Sequence, residues 1–238
     1  MRFAHNFYNW DRDWDNDLDL RLRLTKETGY EGFEAKPAAI GAPPEVVKAK
    51  CEALGISCVA IGGGIRESVD YAYAAGAGIV RSGVSKEECA RWVEYAGERG
   101  IIITIHNHLS VQNRGKGAVE TREELLQYLD ERPGVYGCPD TGHLLLCGSD
   151  PVQTIRNMGE RCAYIHLKDI DPEAVGKANR GGSSFWELGT GALDLPGVMK
   201  ALEDVGFDGW VTVERDCRVE DYAQSARNMR QVFSDMGY

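Results

Sequence analysis

The stretch "IIITIHNHLS" (Ile101–Ser110) carries more information about the fold than any other part of the chain. Its first five residues are apolar or β-branched without alternation, the pattern of a strand covered on both faces, as in a parallel sheet. The run then ends in two histidines flanking one asparagine. Polar groups at the end of a buried strand need partners, and histidine is the commonest protein metal ligand. Hydrogen-bonded loop histidines would fit the same residues, so this segment alone leaves both readings open.

Similar short runs recur on either side of it. They fall at Arg2–Tyr8, Gly32–Lys36, Ser57–Ile61, Gly78–Arg81, Val135–Asp140, Ala163–Leu167 and Trp210–Glu214, with helical periodicity between them. "SKEE" (Ser85–Glu88) and "TREE" (Thr121–Glu124) fit the capping box, and "SDP" (Ser149–Pro151) offers an N-cap followed by proline. Gly29, Gly55, Gly100 and Gly206 follow helical segments, where a left-handed C-terminal residue is common. Eight β runs alternating with helices in 238 residues predict an α/β fold, a (β/α)8 TIM barrel, as one domain over residues 1–238. A doubly wound open sheet is the alternative. "IGGGIRES" (Ile61–Ser68) lacks the spacing of a dinucleotide or phosphate loop and reads as a strand-to-helix turn.

The barrel expectation gives the histidines a meaning. His106 closes the fifth run, Asp140 the sixth, His166 lies near the end of the seventh, and Glu214 closes the eighth. Consecutive barrel strands are neighbours and alternate side chains point inward, so these four converge. Two imidazoles and two carboxylates suit Mn²⁺, Fe²⁺, Co²⁺ or Zn²⁺ better than Mg²⁺. Buried carboxylates without a cation would carry a large desolvation cost. His5, in the first run, reads as a pocket or core residue.

Two long connections, Leu109–Val119 and Asp171–Leu193, would lie on the face where the active sites of such barrels are built. Asn113, Arg114, Lys116, Arg180 and Trp186 are their candidate substrate contacts. Phe7, Tyr8, Trp10 and Trp14 would stack on a bound ligand, cap the barrel or fill the subunit interface of a homo-oligomer.

Composition bounds the partners. The net charge of −10, from 37 acidic and 27 basic side chains, disfavours nucleic acid and anionic membrane surfaces. Seven scattered cysteines with no C-x-x-C pair read as reduced. There is no secretory apolar core at the N-terminus and no run of membrane-spanning length, so a cytoplasmic protein is expected.

In order and spacing, "HNH", "DTGH", "HLKD", "LGTGALD" and "GWVTVE" together resemble the sugar isomerase/epimerase superfamily of xylose isomerase-like TIM barrels. Within it, the inosose (2-keto-myo-inositol) dehydratase-like members look most similar. The resemblance implies one divalent metal ion, manganese first, with cobalt, zinc, iron or magnesium as alternatives, held by His106, Asp140, His166 and Glu214. It also implies second-sphere and substrate-contacting roles for His108, His143 and Lys168, with Glu34 a further such position.

The implied chemistry is proton abstraction next to a carbonyl of a keto-sugar or keto-cyclitol, through a metal-stabilised enediolate. Glu214, His108 or His143 would take the proton, and Lys168 would stabilise negative charge. Reprotonation would make the enzyme an isomerase or epimerase; loss of a β-hydroxyl would make it a dehydratase. The fifth-strand position departs from the epimerase pattern, with His106 where a glutamate is usual, which counts against a two-glutamate mechanism. The remaining alternatives are a non-catalytic sugar-binding barrel or subunit and an endonuclease IV-like repair enzyme. The latter would need more ligands and a basic groove.

Overall fold

The computed structural model describes residues 1–9, 17–109, 119–178 and 184–238, and the side chain of Tyr8 is also outside the description. Among these residues eight strands form one parallel sheet. They are β1 (Arg2–Asn6), β2 (Gly32–Ala35), β3 (Ser57–Gly62), β4 (Ile79–Arg81), β5 (Ile102–His106), β6 (Val135–Cys138), β7 (Tyr164–Leu167) and β10 (Trp210–Val213). The hydrogen-bonded order is β6-β5-β4-β3-β2-β1-β10-β7. Bridges at Gly137–Cys162 and Asp140–His166 draw the two ends together into a nearly closed barrel. Each expected run holds a strand, with ends displaced by one or two residues.

The burial of these strands explains why they read as continuous apolar runs. β2, β7 and β10 are buried at every position. One set of alternate residues, including Phe3, Phe33, Ile61, Val80, Ile103, Ile165, Leu167, Val211 and Val213, joins the main core under the helices. The other set packs inside the barrel, where Ala4, Val59, Ala60, Ile79, Cys138, Tyr164 and Trp210 form a separate cluster. A strand covered on both faces has no polar side to show in its pattern. Where β2 meets β3 the register shifts between Phe33 and Glu34, which places one extra β3 residue opposite that step.

Helix starts follow the capping chemistry. Thr121 and Glu124 form the full capping box ahead of α6 (Arg122–Asp130), and Asp150 caps α8 (Pro151–Met158). Gly29, Gly55, Gly100 and Gly206 all adopt positive φ, between 65° and 88°. The "SKEE" box forms only in part: Ser85 Oγ accepts from Glu88 N, but the helix that follows, α5 (Cys89–Gly97), begins only at Cys89. His5 proves to be a core residue, with Nε2 2.7 Å from Thr25 Oγ1 and burial lowering its pKa to about 3. Phe7 is also core, stacked on Phe33 at 4.3 Å.

The connection after β7 is not a simple loop. β8 (Asp169–Ile170) pairs antiparallel with β9 (Phe185–Trp186). Asp169 ties down the returning chain: its carboxylate accepts from the backbone N–H groups of Ile170, Gly189, Gly191 and Leu193, at 2.9–3.0 Å. The glycines of "LGTG" are what permit this approach. Gly189 has φ +88°, and a Cβ on Gly191 would lie 2.3 Å from Ile170 O and 2.5 Å from Asp169 Oδ1. Gly191→Ala must therefore push the turn off its anchor. At an overpacking cost of about 1–3 kcal/mol the expected fall in Tm is roughly 5 °C in thermal unfolding.

Candidate active site

Alternation along the inward face builds the site at the C-terminal mouth of the barrel. Tyr164, His166 and Lys168 are spaced by two, as are Thr212, Glu214 and Asp216, His106 and His108, and Glu34 and Lys36. The upper members line a cavity of about 290 Å³, bounded by Lys36, Arg81, His106, His108, Lys168, Glu214 and Asp216. That volume sits at the small end of the range for ligand pockets.

At its floor, His106, Asp140, His166 and Glu214 each offer one ligand atom, and these atoms all lie within 4.8 Å of one another. The four residues selected by strand order are thus brought together. Asp140 divides its work. Its Oδ1 accepts from His143 N, capping α7 (Thr141–Leu146), while Oδ2 lies 3.1 Å from His106 Nε2. Asn107, the middle residue of "HNH", clamps the Asp140 backbone: its Oδ1 accepts from Asp140 N at 2.7 Å and its Nδ2 donates to Asp140 O at 3.3 Å.

Glu34 stands behind His166 and does not line the cavity. Its carboxylate is fully buried and accepts from Arg81 Nε (2.6 Å), Tyr164 OH (2.7 Å) and His166 Nε2 (2.5 Å). Burial would raise its pKa, but Arg81 and His166 outweigh that and hold it at about 2. An ionised carboxylate can only accept, so the proton sits on His166 Nε2 and, in the neutral ring, Nδ1 carries the lone pair. Nδ1 lies 2.8 Å from Glu214 Oε2, off the line a hydrogen bond needs, and among the described residues this buried atom has no hydrogen-bond partner. An orphaned imidazole nitrogen aimed among carboxylate oxygens fits a divalent cation, as does the mixed N/O donor set.

The electrostatics agree. Burial would lower the His166 pKa, yet Cys138, Glu34 and Glu214 around it drive it well above the ordinary value. Burial likewise works against a charged Lys168, but Asp140, Glu214 and Asp216 hold its ammonium protonated. Its Nζ lies 3.1 Å from Glu214 Oε1, 2.9 Å from Asp216 Oδ2 and 3.5 Å from Asp140 Oδ2. Burial raises and Lys168 and His166 lower the Glu214 carboxyl, with a net shift well down. His106 is kept neutral, its pKa lowered to about 3 by burial despite Asp140. His143 is also buried and pushed down by desolvation. Its ring packs 4.1 Å from that of His108, and among the described residues its Nδ1 has no hydrogen bond.

Of the loop candidates, Trp186 is 40% exposed on β9 and does not line the cavity. Asn113, Arg114, Lys116, Arg180, Trp10 and Trp14 lie outside the described residues. Arg81, Lys36, Asn107 and Tyr164 are site residues beyond those the sequence predicts. Counting by twos along β2 and β4 would have put Lys36 and Arg81 on the inward face; nothing in the sequence marks the clamp made by Asn107.

A barrel with this strand-end constellation defines a class, and comparison with known proteins agrees. The chain belongs to the xylose isomerase-like TIM barrel family, whose model matches residues 65–232. A Clostridium botulinum (strain Alaska E43 / Type E3) protein named inosose dehydratase is 30% identical over 132 residues, 52% of this chain and 43% of that one. The match thus spans less than half of that relative's length. Among solved structures, L-ribulose 3-epimerase superposes with a TM-score of 0.79 at 15% identity, covering 98% of this chain and 93% of that one. The IolI protein, crystallised with a zinc atom, also gives 0.79 at 17% identity, over 99% and 97% of the two chains. At those identities the structures establish the shared fold.

Removing the charge on Glu34 tests how His166 is held. Glu34→Gln is expected to weaken Mn²⁺ or Co²⁺ binding about 10–100-fold in a chelator-competition titration. Tyr164→Phe, which leaves the charge in place, should have a smaller effect.

Proposed function

We propose that this protein is a divalent-metal-dependent enzyme that removes a proton α to the carbonyl of a keto-sugar or keto-cyclitol, completing the reaction by isomerisation or by loss of water. The observation that carries it is the buried N/O cluster opening into a small pocket beside a fixed ammonium, Lys168, and an imidazole, His108. The name of the Clostridium relative supports the cyclitol, and those of the solved epimerases support the sugar.

His106, Asp140, His166 and Glu214 would hold the metal, manganese first, with cobalt, zinc, iron or magnesium as alternatives. When bound it supplies Lewis acidity to the substrate carbonyl and an adjacent hydroxyl. The remaining roles belong to the chain. His108 lines the pocket and takes the α-proton, with the His143 ring packed behind it. Lys168, held protonated by three carboxylates, acts as a fixed positive charge next to the developing oxyanion rather than as a proton donor. Glu214 is a weak base, pinned by Lys168 and His166.

This assignment puts one proton carrier on one side of the substrate. The imidazolium of His108 can return its proton to the neighbouring carbon, or pass it to a β-hydroxyl that leaves as water. Inversion of a carbon needs a second carrier on the opposite face. His106, buried and neutral where the epimerases usually have a carboxylate, is poorly suited to that part. Dehydration or aldose–ketose isomerisation is therefore favoured over epimerisation. No helix among the described residues is long and apolar enough to cross a membrane, and all seven cysteines are free. The free cysteines support a reducing compartment such as the cytoplasm.

The test is incubation of the Mn²⁺-supplemented protein with 2-keto-myo-inositol and with ketohexoses in D₂O, followed by NMR. Deuterium entering the α-position, or loss of water, is expected. His108→Gln should slow it about 100-fold or more while leaving metal binding intact. Failure to exchange or dehydrate any keto-cyclitol or ketose would contradict the proposal.

A further inference from the structure

Among the described residues the pocket wall is not electrically balanced in its hydrogen-bonding capacity. Its carboxylates are engaged: Glu214 meets Lys168 and His166, and Asp216 meets Lys168. Lys168 in turn spends its ammonium on Asp140, Glu214 and Asp216. Arg81 differs. Only its Nε is used, donating to Glu34 Oε1, and among the described residues Nη1 and Nη2 have no hydrogen-bond partner. Its side chain is 17% exposed and lines the cavity.

The fork is also held in place. Glu34, itself fixed by Tyr164 and His166, grips Arg81 from behind. Gly62 on the adjoining strand leaves room for it, since a Cβ there would come within 2.9 Å of Nη2. A half-buried guanidinium fixed at Nε on the wall of a small cavity, with Nη1 and Nη2 unpartnered among the described residues, matches a two-oxygen anion. A second cation, Lys36, lines the same cavity.

We propose that Arg81 is a specificity-determining residue that anchors an oxyanionic substituent, a carboxylate or a phosphate, on the substrate. This rests on the keto-sugar function above and narrows it: the preferred substrate is a keto-sugar acid or a keto-sugar phosphate rather than a neutral ketose. Glu34 then serves both ends of the site, orienting His166 through one oxygen and the Arg81 fork through the other.

The experiment is calorimetric binding, with and without Mn²⁺, of D-fructose, 5-keto-D-gluconate and D-fructose 6-phosphate to the native protein and to its Arg81→Gln variant. One of the two anions is expected to bind about 10–100-fold tighter than fructose, and which one identifies the substituent. In Arg81→Gln that preference should collapse to about one. Arg81→Lys keeps a cation opposite Glu34 and so guards against a folding defect; having lost the fork, it should recover only part of the preference. Equal binding of all three ligands, or a preference that survives in Arg81→Gln, would overturn the assignment of Arg81 while leaving the keto-sugar function standing. Binding of none would also overturn the assignment of Arg81, while the D₂O exchange test with 2-keto-myo-inositol decides the function separately.

Discussion

Three carboxylates, Glu34, Asp140 and Glu214, are buried around the imidazole of His166, and this concentration of negative charge governs the barrel mouth. A buried carboxylate costs several kcal/mol unless it is paired. Two protein cations, Arg81 and Lys168, answer part of it. The rest falls on His166, which is why its affinity for a proton is driven up. A divalent cation at His166 Nδ1 would meet the same demand better, because it can be ligated by both Asp140 and Glu214 at once. Proton and metal compete for one nitrogen, so metal uptake there displaces a proton.

The surrounding elements serve to make that concentration tolerable. The two-residue repeat of each strand sends one set of side chains into the helix-covered core and the other up the barrel interior. Polar groups then accumulate only at the open end, where the strands run out. Helix α7 begins directly after β6, so its first N–H groups face Asp140, and the Asn107 clamp stops that residue from swinging away. Asp169 plays the corresponding part on the far side of Lys168, fixing three backbone amides of the chain that returns from the β8–β9 hairpin.

Much of this was legible in the sequence because the barrel translates order into position. Four ligand-type residues at the ends of the last four apolar runs had to meet once those runs became neighbours. The sequence was less informative about residues whose role depends on an exact distance. The family resemblance implies a second-sphere or substrate-contacting role for Glu34 without choosing between them; its side chain turns to Tyr164, Arg81 and His166, behind the cavity wall. Asn107 looked like a spacer between two histidines, although its side-chain amide matches the backbone of Asp140. The β8–β9 hairpin, two residues to a strand, is too short to show any periodicity.

The central claim is that His106, Asp140, His166 and Glu214 hold a metal ion. The direct test is the metal content of protein purified without chelator or affinity-tag metal, by mass spectrometry, beside that of Asp140→Asn. The account predicts about one divalent ion per chain in the native protein and a large loss in the variant. A native protein that carries no metal and takes up none of Mn²⁺, Co²⁺ or Zn²⁺ would contradict it, leaving His166 charged and the cluster a self-contained ion-pair network.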